Sequence, residues 1–336
     1  MFNFLERFTH VHFPPTVFPR LHYNQNACIK CKMCVKACPT SCLVWDEDRN
    51  RPIATALMEM DPACIGCNNC EAVCPVGAIR MQGRYFVKKG RYATVREKDR
   101  DMTYPFDRER DKLEEIEEEL TETERLILKR RSIRLFKKKE VDKELLLRIL
   151  EAGRFAPSAG NCQPYKFVVV TDRAINKEID IRCARVLYRI KELYLTKNRL
   201  KKALIYLLSY LSVNKWDQRP IAAMEKIWRE KGVITFDAPV VIHILKDRRG
   251  ISSPDIDVGI AGENMALAAH SLGLGTCFIG FIASALPFAP SVRRLLGIKY
   301  PYELALSLCV GYPLRGIDSF VARGTVPVTW IEKANS

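Results

Sequence analysis

No apolar run in this chain approaches the roughly 20 residues needed to cross a bilayer. The longest, ALIYLLSYLSV, covers only Ala203 to Val213, so a spanning segment is not expected. The opening MFNFLERFTHVHFPP has an early acid, two prolines and no uninterrupted apolar h-region, and does not read as a signal peptide; a cytoplasmic location is the expectation. A Ser-His-Asp set and paired carboxylates are also missing, so nothing calls for covalent or general-base catalysis by side chains. The basic residues belong to no recognisable nucleic-acid-reading module, and no nucleic acid partner is expected. Acid is scarce beside base: 39 Asp and Glu against 54 Lys and Arg leave a formal charge of +15. Such a balance suits an acidic protein or an anionic surface without choosing between them.

Cysteine, by contrast, is abundant and clustered. Of 13 cysteines in 336 residues, nine lie between Cys28 and Cys74. Cytosolic thiols are kept reduced, so a crowded, odd-numbered set points to metal rather than disulfides. The run CIKCKMCVKACP, Cys28 to Pro39, recurs as CIGCNNCEAVCP, Cys64 to Pro75, with the same Cys-x2-Cys-x2-Cys-x3-Cys-Pro spacing. Three thiolates on one tight loop can reach three corners of an iron–sulfur cubane, and the fourth iron needs a ligand from elsewhere. The doubled run resembles a bacterial-type two-cluster ferredoxin, in which each block's fourth cysteine serves the other cluster. The resemblance implies two 4Fe–4S clusters, one on Cys28, Cys31, Cys34 and Cys74, the other on Cys64, Cys67, Cys70 and Cys38. Zinc is the alternative, although its sites usually pair two Cys-x2-Cys motifs rather than two triplets. Cys42 matches no ligand position and reads as a buried thiol.

The chain divides into an aromatic tail (1–22), the cysteine-rich block (23–90), a charged connector (91–122) and a larger domain (123–336). In the connector, Leu113, Ile116, Leu120 and Ile127 fall at helical spacing among strong helix formers, which predicts a solvated linker helix. Beyond it, helix and strand alternate. Helices are predicted over Lys143 to Ala152, capped by Asp142, and over Ile256 to Leu272. Strands are predicted at Phe167 to Val170, Val240 to Leu245, in TCFIG from Thr276, and at Glu303 to Val310.

Four segments of this larger domain, in order, resemble the FMN-dependent nitroreductase family. The first is RRSIRLF, Arg130 to Phe136. By the likeness Arg130, Arg131 and Ser132 belong to the FMN phosphate and ribityl region, and Arg134 to the N1/O2 edge of the ring. An arginine fork suits phosphate, and a fixed cation near N1 stabilises an anionic reduced ring. The second, APSAGNCQPYKF, places Pro157, Ser158, Asn161 and Gln163 on a loop that in the family reaches the flavin across a dimer interface; taken alone it reads as a turn leading into a strand. The third is DIDVGIAGENMALAAHSLGLGTCFIG, similar to the central dimer helix and the loop, here Ile279 and Gly280, whose amides meet flavin O4 and N5. The fourth, GYPLRGIDSFVARGTVPVTW, sets Arg323 near a family phosphate-binding arginine, with Arg315 a weaker candidate; Ile317, Asp318 and Ser319 depart from the usual basic pattern there. His243, Cys162 and Cys277 read as packed residues.

The resemblance implies an α+β fold: a three-layer αβα nitroreductase-like FMN domain with a small ferredoxin-like domain ahead of it. It further implies a homodimer and hydride delivery from FMN N5 to a small-molecule acceptor such as a nitroaromatic, quinone or enone. A ferredoxin or flavodoxin is the expected electron donor, its docking favoured by the positive surface and so sensitive to salt. Two alternatives stand beside this enzyme: a relay subunit handing electrons to a partner protein, and a reductase in peripheral membrane contact. The second is prompted by the aromatic tail and the basic stretch with Lys197, Arg199, Lys201 and Lys202 inside the variable region 182–231.

Overall fold

The computed structural model describes residues 16–17, 20–54, 64–82, 86–87, 115–194, 200, 219–230, 232–251, 253–316, 320–321 and 331. The cysteine-rich block is built from short two-stranded pieces. β1 (Thr16–Val17) pairs with β6 (Phe86–Val87), β2 (Arg20–Tyr23) with β5 (Ile79–Gln82), and β3 (Leu43–Asp46) with β4 (Arg51–Ala54), all antiparallel. Two single-turn helices, α1 (Met33–Lys36) and α2 (Asn69–Ala72), follow the two cysteine triplets.

The sequence repeat is reproduced in the backbone. Lys30, Lys32 and Ser41 have φ of 57°, 56° and 52°, and their counterparts 36 positions on, Gly66, Asn68 and Gly77, have 67°, 52° and 59°. A lysine or serine held in the left-handed region costs about 1–2 kcal/mol, so these loops persist only where their surroundings fix them. The loops turn amides onto sulfur: Lys30 N donates to Cys28 Sγ at 3.3 Å and Ala78 N to Cys74 Sγ at 3.2 Å. Buried Asn69 joins the two halves, its Nδ2 donating to the Ala37 carbonyl at 2.8 Å.

The predicted linker helix is interrupted. Glu117–Glu119 form a 3-10 turn, Leu120 is extended (φ −75°, ψ 137°), and a separate helix α3 (Glu122–Lys129) starts after it. The break follows from a reciprocal capping box: the Thr121 side chain accepts from Glu124 N, and the Glu124 carboxylate accepts from Thr121 N at 2.9 Å. Leu120 turns inward to pack with Phe320. Leu113 lies outside the described residues.

The larger domain is a four-stranded antiparallel sheet in the order β7 (Tyr165–Val170), β8 (Val240–Asp247), β10 (Tyr302–Gly311), β9 (Gly275–Ile279). Every strand and helix predicted for this domain is present, with slightly different ends. One face packs α4 (Lys143–Arg154) and α7 (Pro254–Ser271) around Ile149, Ile242 and Met265. The opposite face packs α5 (Arg173–Tyr194), α6 (Arg219–Arg229), α8 (Phe281–Ala285) and α9 (Pro290–Leu295) around Leu187, Val241 and Ile282. Alternation along β8 and β10 sends successive apolar side chains to the two cores, giving the three layers αβα. Much of the basic stretch 195–218 lies outside the described residues, as do the aromatic tail up to residue 15 and Arg323.

The arginine-rich segment before α4 is fixed against the edge strand β9. Ile133 N donates to Thr276 O at 2.7 Å, and Ser132 bridges Thr276. Gly275 makes this approach possible: a Cβ there would sit 2.7–2.8 Å from Ile133 Cγ1, Cβ and Cγ2. Gly275→Ala should therefore cost about 1–3 kcal/mol, the range for overpacking, and displace the Arg130 to Arg134 backbone. A lower melting temperature together with weaker flavin retention is the expected result; a change in neither would show that the two strands part freely.

Candidate functional site

The eight motif cysteines gather into two sets. A cleft partly open to solvent is lined by Cys38, Cys42, Cys64, Cys67 and Cys70 with apolar neighbours including Leu43 and Met81. The fourth cysteine of the first block thus stands with the triplet of the second. The other set surrounds Cys34, whose thiol is pushed up to about 11, chiefly by burial, with the neighbouring sulfurs of Cys74, Cys31 and Cys28 adding to the rise. Sulfur donors round a pocket with apolar walls fit a cluster held by thiolates, whose iron supplies the missing positive charge. Among the described residues no three His, Cys, Asp or Glu side chains converge tightly enough for a single ion. Cys42, 4% exposed, lies with its sulfur 3.7 Å from Cys38 Sγ and also neighbours Cys64.

A second cluster of functional groups forms where RRSIRLF crosses β9. Cys277 on that strand is fully buried, and burial raises its thiol against the opposing influence of Arg134, Ser132 and Arg130, all close to it. The first and third segments are thereby brought to one place. Arg130 Nε lies 2.8 Å from Glu263 Oε1 on α7. Buried Arg131 turns away, its Nη2 donating to the Gly316 carbonyl at 3.0 Å. The Arg134 guanidinium lies over the Phe236 ring, 5.9 Å from its centroid. Ile279 ends β9 and exposed Gly280 precedes α8; a Cβ on Gly280 would meet nothing within 4 Å, so the backbone there is open. A hydroxyl, two guanidinium groups and an open glycine amide form a donor set suited to a phosphorylated ring cofactor.

The loop with Pro157, Ser158, Asn161 and Gln163 is a self-braced turn elsewhere. Gln163 N donates to Ser158 Oγ at 2.9 Å, Gln163 Nε2 reaches Asn161 Oδ1 at 3.3 Å, and Asn161 and Gln163 both have left-handed φ (53° and 47°). It precedes β7, on the sheet edge opposite β9. Val168, His243, Ser307 and Ile279 form one row across the four strands. Tyr165, where β7 begins, is thus three strand spacings from the row's Ile279, about 14 Å, and three residues along its strand, about 10 Å, and Gln163 lies beyond it. One chain does not join this loop to the arginine segment.

The two parts of the molecule meet at an open cleft. Ala37, Asn69 and Val73 face Arg131, Arg134 and Arg315 across it. Arg134 is also near Cys67, whose thiol burial raises and the guanidinium lowers. One arginine therefore acts electrostatically on both Cys67 and Cys277. His243 donates or accepts through Nδ1 with Ser307 Oγ at 2.9 Å and is pushed down to about 4 by burial, as befits a packed residue. Phe236 at these contacts lies outside every motif, whereas Glu263 falls within the third segment but has no role of its own there.

Iron-ligand loops coupled to an αβα domain with a cationic cofactor cradle define an iron–sulfur oxidoreductase. Residues 127–312 match the nitroreductase family model, and residues 27–78 and 63–104 match the 4Fe-4S dicluster domain model. The chain belongs to the nitroreductase family and carries a two-cluster 4Fe–4S domain at its N-terminal side. Among relatives, a Methanothermobacter thermautotrophicus protein named as an NADH dehydrogenase/NAD(P)H nitroreductase is 30% identical over 187 residues, 55% of this chain and 73% of the relative. Iodotyrosine deiodinase 1 of Rattus norvegicus is 29% identical over 200 residues, 57% of this chain and 62% of the relative. A solved nitroreductase from Desulfitobacterium hafniense with bound FMN is similar at 22% identity and a TM-score of 0.49, over 63% of this chain and 100% of that one. No helix among the described residues is long and apolar enough to cross a membrane.

Proposed function

We propose that the chain passes electrons from a low-potential protein donor through two 4Fe–4S clusters to FMN, and from FMN to a small acceptor. In this reading residues 23–90 form the cluster domain, with Cys28, Cys31, Cys34 and Cys74 on one cluster and Cys38, Cys64, Cys67 and Cys70 on the other. Residues 123–336 form the FMN domain, joined by the connector 91–122. Arg130, Ser132 and Arg134, with the amides of Ile279 and Gly280, hold the flavin; Arg131, Arg315 and Arg323 line or flank the same region. When bound, FMN supplies two-electron hydride chemistry at N5, and accepts single electrons from clusters, which is why no acid–base set is needed. The chain's own residues orient the ring and set its charge environment. The observation that carries the reading is Arg134, which lines a cleft with Asn69 and Val73 of the cluster domain and lies close to Cys277 on β9.

The separation of the Ser158 loop from the arginine segment supports a homodimer, since the partner copy of Pro157, Ser158, Asn161 and Gln163 would then close the pocket. A ferredoxin or flavodoxin fits the +15 charge as donor. The test is steady-state turnover of purified protein with reduced ferredoxin and nitroaromatic, quinone and enone acceptors. Rapid turnover with at least one acceptor, slowed by added salt, is expected; reduction that stops at the protein until a partner is supplied would instead mark an electron relay.

A further inference from the structure

Lys226 is a buried cation outside the proposed cofactor cradle. It sits on α6 of the larger domain, is 9% exposed, and its Nζ donates to the Cys38 carbonyl oxygen at 2.6 Å. Among the described residues its ion-pair partner is Glu230, one turn along the helix at 3.6 Å and with half of its side chain in solvent. Neighbouring Glu225 is engaged elsewhere, by Lys191 at 2.7 Å and Arg229 at 3.0 Å. Arg134 adds a second cation from the same domain, lining one cleft with Asn69, the residue before Cys70. Both charges are thus directed at the set Cys38, Cys64, Cys67 and Cys70. Beside the other set, Arg51 lies near Tyr23, which neighbours Cys28 and Cys34, and Lys32 is paired with exposed Glu47 at 2.7 Å; larger-domain arginines also face Met33 and Val73, next to Cys34 and Cys74, so the asymmetry between the two sets rests on the Lys226 bond to the Cys38 backbone.

We propose that Lys226, seconded by Arg134, makes the cluster on Cys38, Cys64, Cys67 and Cys70 the more easily reduced of the two, and so the one from which electrons leave for the larger domain. The inference rests on the electron path proposed above and adds its direction. Reduction of a cluster adds one negative charge. A buried cation at hydrogen-bonding distance from a ligand's backbone favours the more negative state, and salt screens it far less than an exposed one. Hydrogen bonding and net charge are established levers on cluster potential. Each transfer is one electron: the ferredoxin-class donor is oxidised, the receiving cluster is reduced, and no bond or proton moves. Lys226 acts through Cys38 and is a positioning residue; its bond also ties the cluster domain to α6.

The test is an anaerobic redox titration of the full chain followed by electron paramagnetic resonance, with Cys70→Ser used to assign the two cluster signals. In the unaltered protein the cluster perturbed by Cys70→Ser should have the higher midpoint. Lys226→Met should lower its reduced-to-oxidised ratio at fixed potential about tenfold, which is 59 mV for one electron, and leave the other cluster in place. Glu230→Gln, at a half-exposed site, should move the same cluster in the opposite direction. Equal shifts of both clusters, no shift in either, or a lower midpoint for the Cys70 cluster would each overturn the proposal; if Lys226→Met fails to hold iron, an unmoved Glu230→Gln potential does so. Failure of the underlying electron path shows differently: reduced ferredoxin would then leave the flavin of the unaltered protein oxidised, whatever the cluster midpoints.

Discussion

Cys70→Ser is expected to lower the iron content of anaerobically purified protein from about eight atoms per chain to about four and to abolish ferredoxin-driven acceptor reduction. The size of the effect comes from where Cys70 stands. It is buried on α2 and lines one cleft with Cys38, Cys64 and Cys67. A serine oxygen is a poor substitute for thiolate on iron, so that cluster loses a corner while the set around Cys34 keeps all four sulfurs. Flavin content should be unchanged, because Arg130, Ser132 and Arg134 are held by β9 and not by the cysteine loops. Iron and flavin analysis of the same preparation checks both halves of the prediction. Iron that stays near eight with undiminished turnover would remove Cys70 from the ligand set.

Arg134→Leu should leave iron intact and reduce ferredoxin-driven turnover by about 10²–10³, the loss typical of removing one fixed group that stabilises developing charge. Arg134 is held over Phe236 and lies close to both Cys67 and Cys277. Its removal takes a charge from the junction on both sides at once. Arg134→Lys should recover part of the rate, since it restores the charge but not the planar fork or the contact with the ring. Turnover and flavin affinity measured together separate the cases: full activity with normal flavin binding in Arg134→Leu would place the cofactor's anionic edge elsewhere.

The cysteine motif was the most legible part of the sequence because its chemistry is local. Three ligands on one loop need fixed spacing, and that spacing can be read without the fold; the proposed exchange of Cys38 and Cys74 comes from the likeness of the doubled run to two-cluster ferredoxins. The strands of the larger domain were legible for a similar reason, as apolar runs such as VVIHIL must be buried on both faces. The linker helix was read as too continuous because periodicity registers Leu120 as one more apolar position, whereas the Thr121 and Glu124 capping box starts a new helix beside it. Long-range contacts were out of reach. That Arg130 lies by Glu263, that Arg134 covers Phe236, and that Lys226 reaches Cys38 depend on packing between distant segments. The wide separation of Gln163 from Ile279 follows from the strand order β7-β8-β10-β9, which no local pattern encodes.

The most direct measurement is rapid mixing of the oxidised protein with reduced ferredoxin under anaerobic conditions, following iron–sulfur and flavin absorbance separately. The account predicts that the cluster bands bleach first, that the flavin band follows at a rate independent of protein concentration, and that Cys70→Ser eliminates the second phase. Flavin that bleaches equally fast in Cys70→Ser, or protein that holds iron but no flavin, would contradict it.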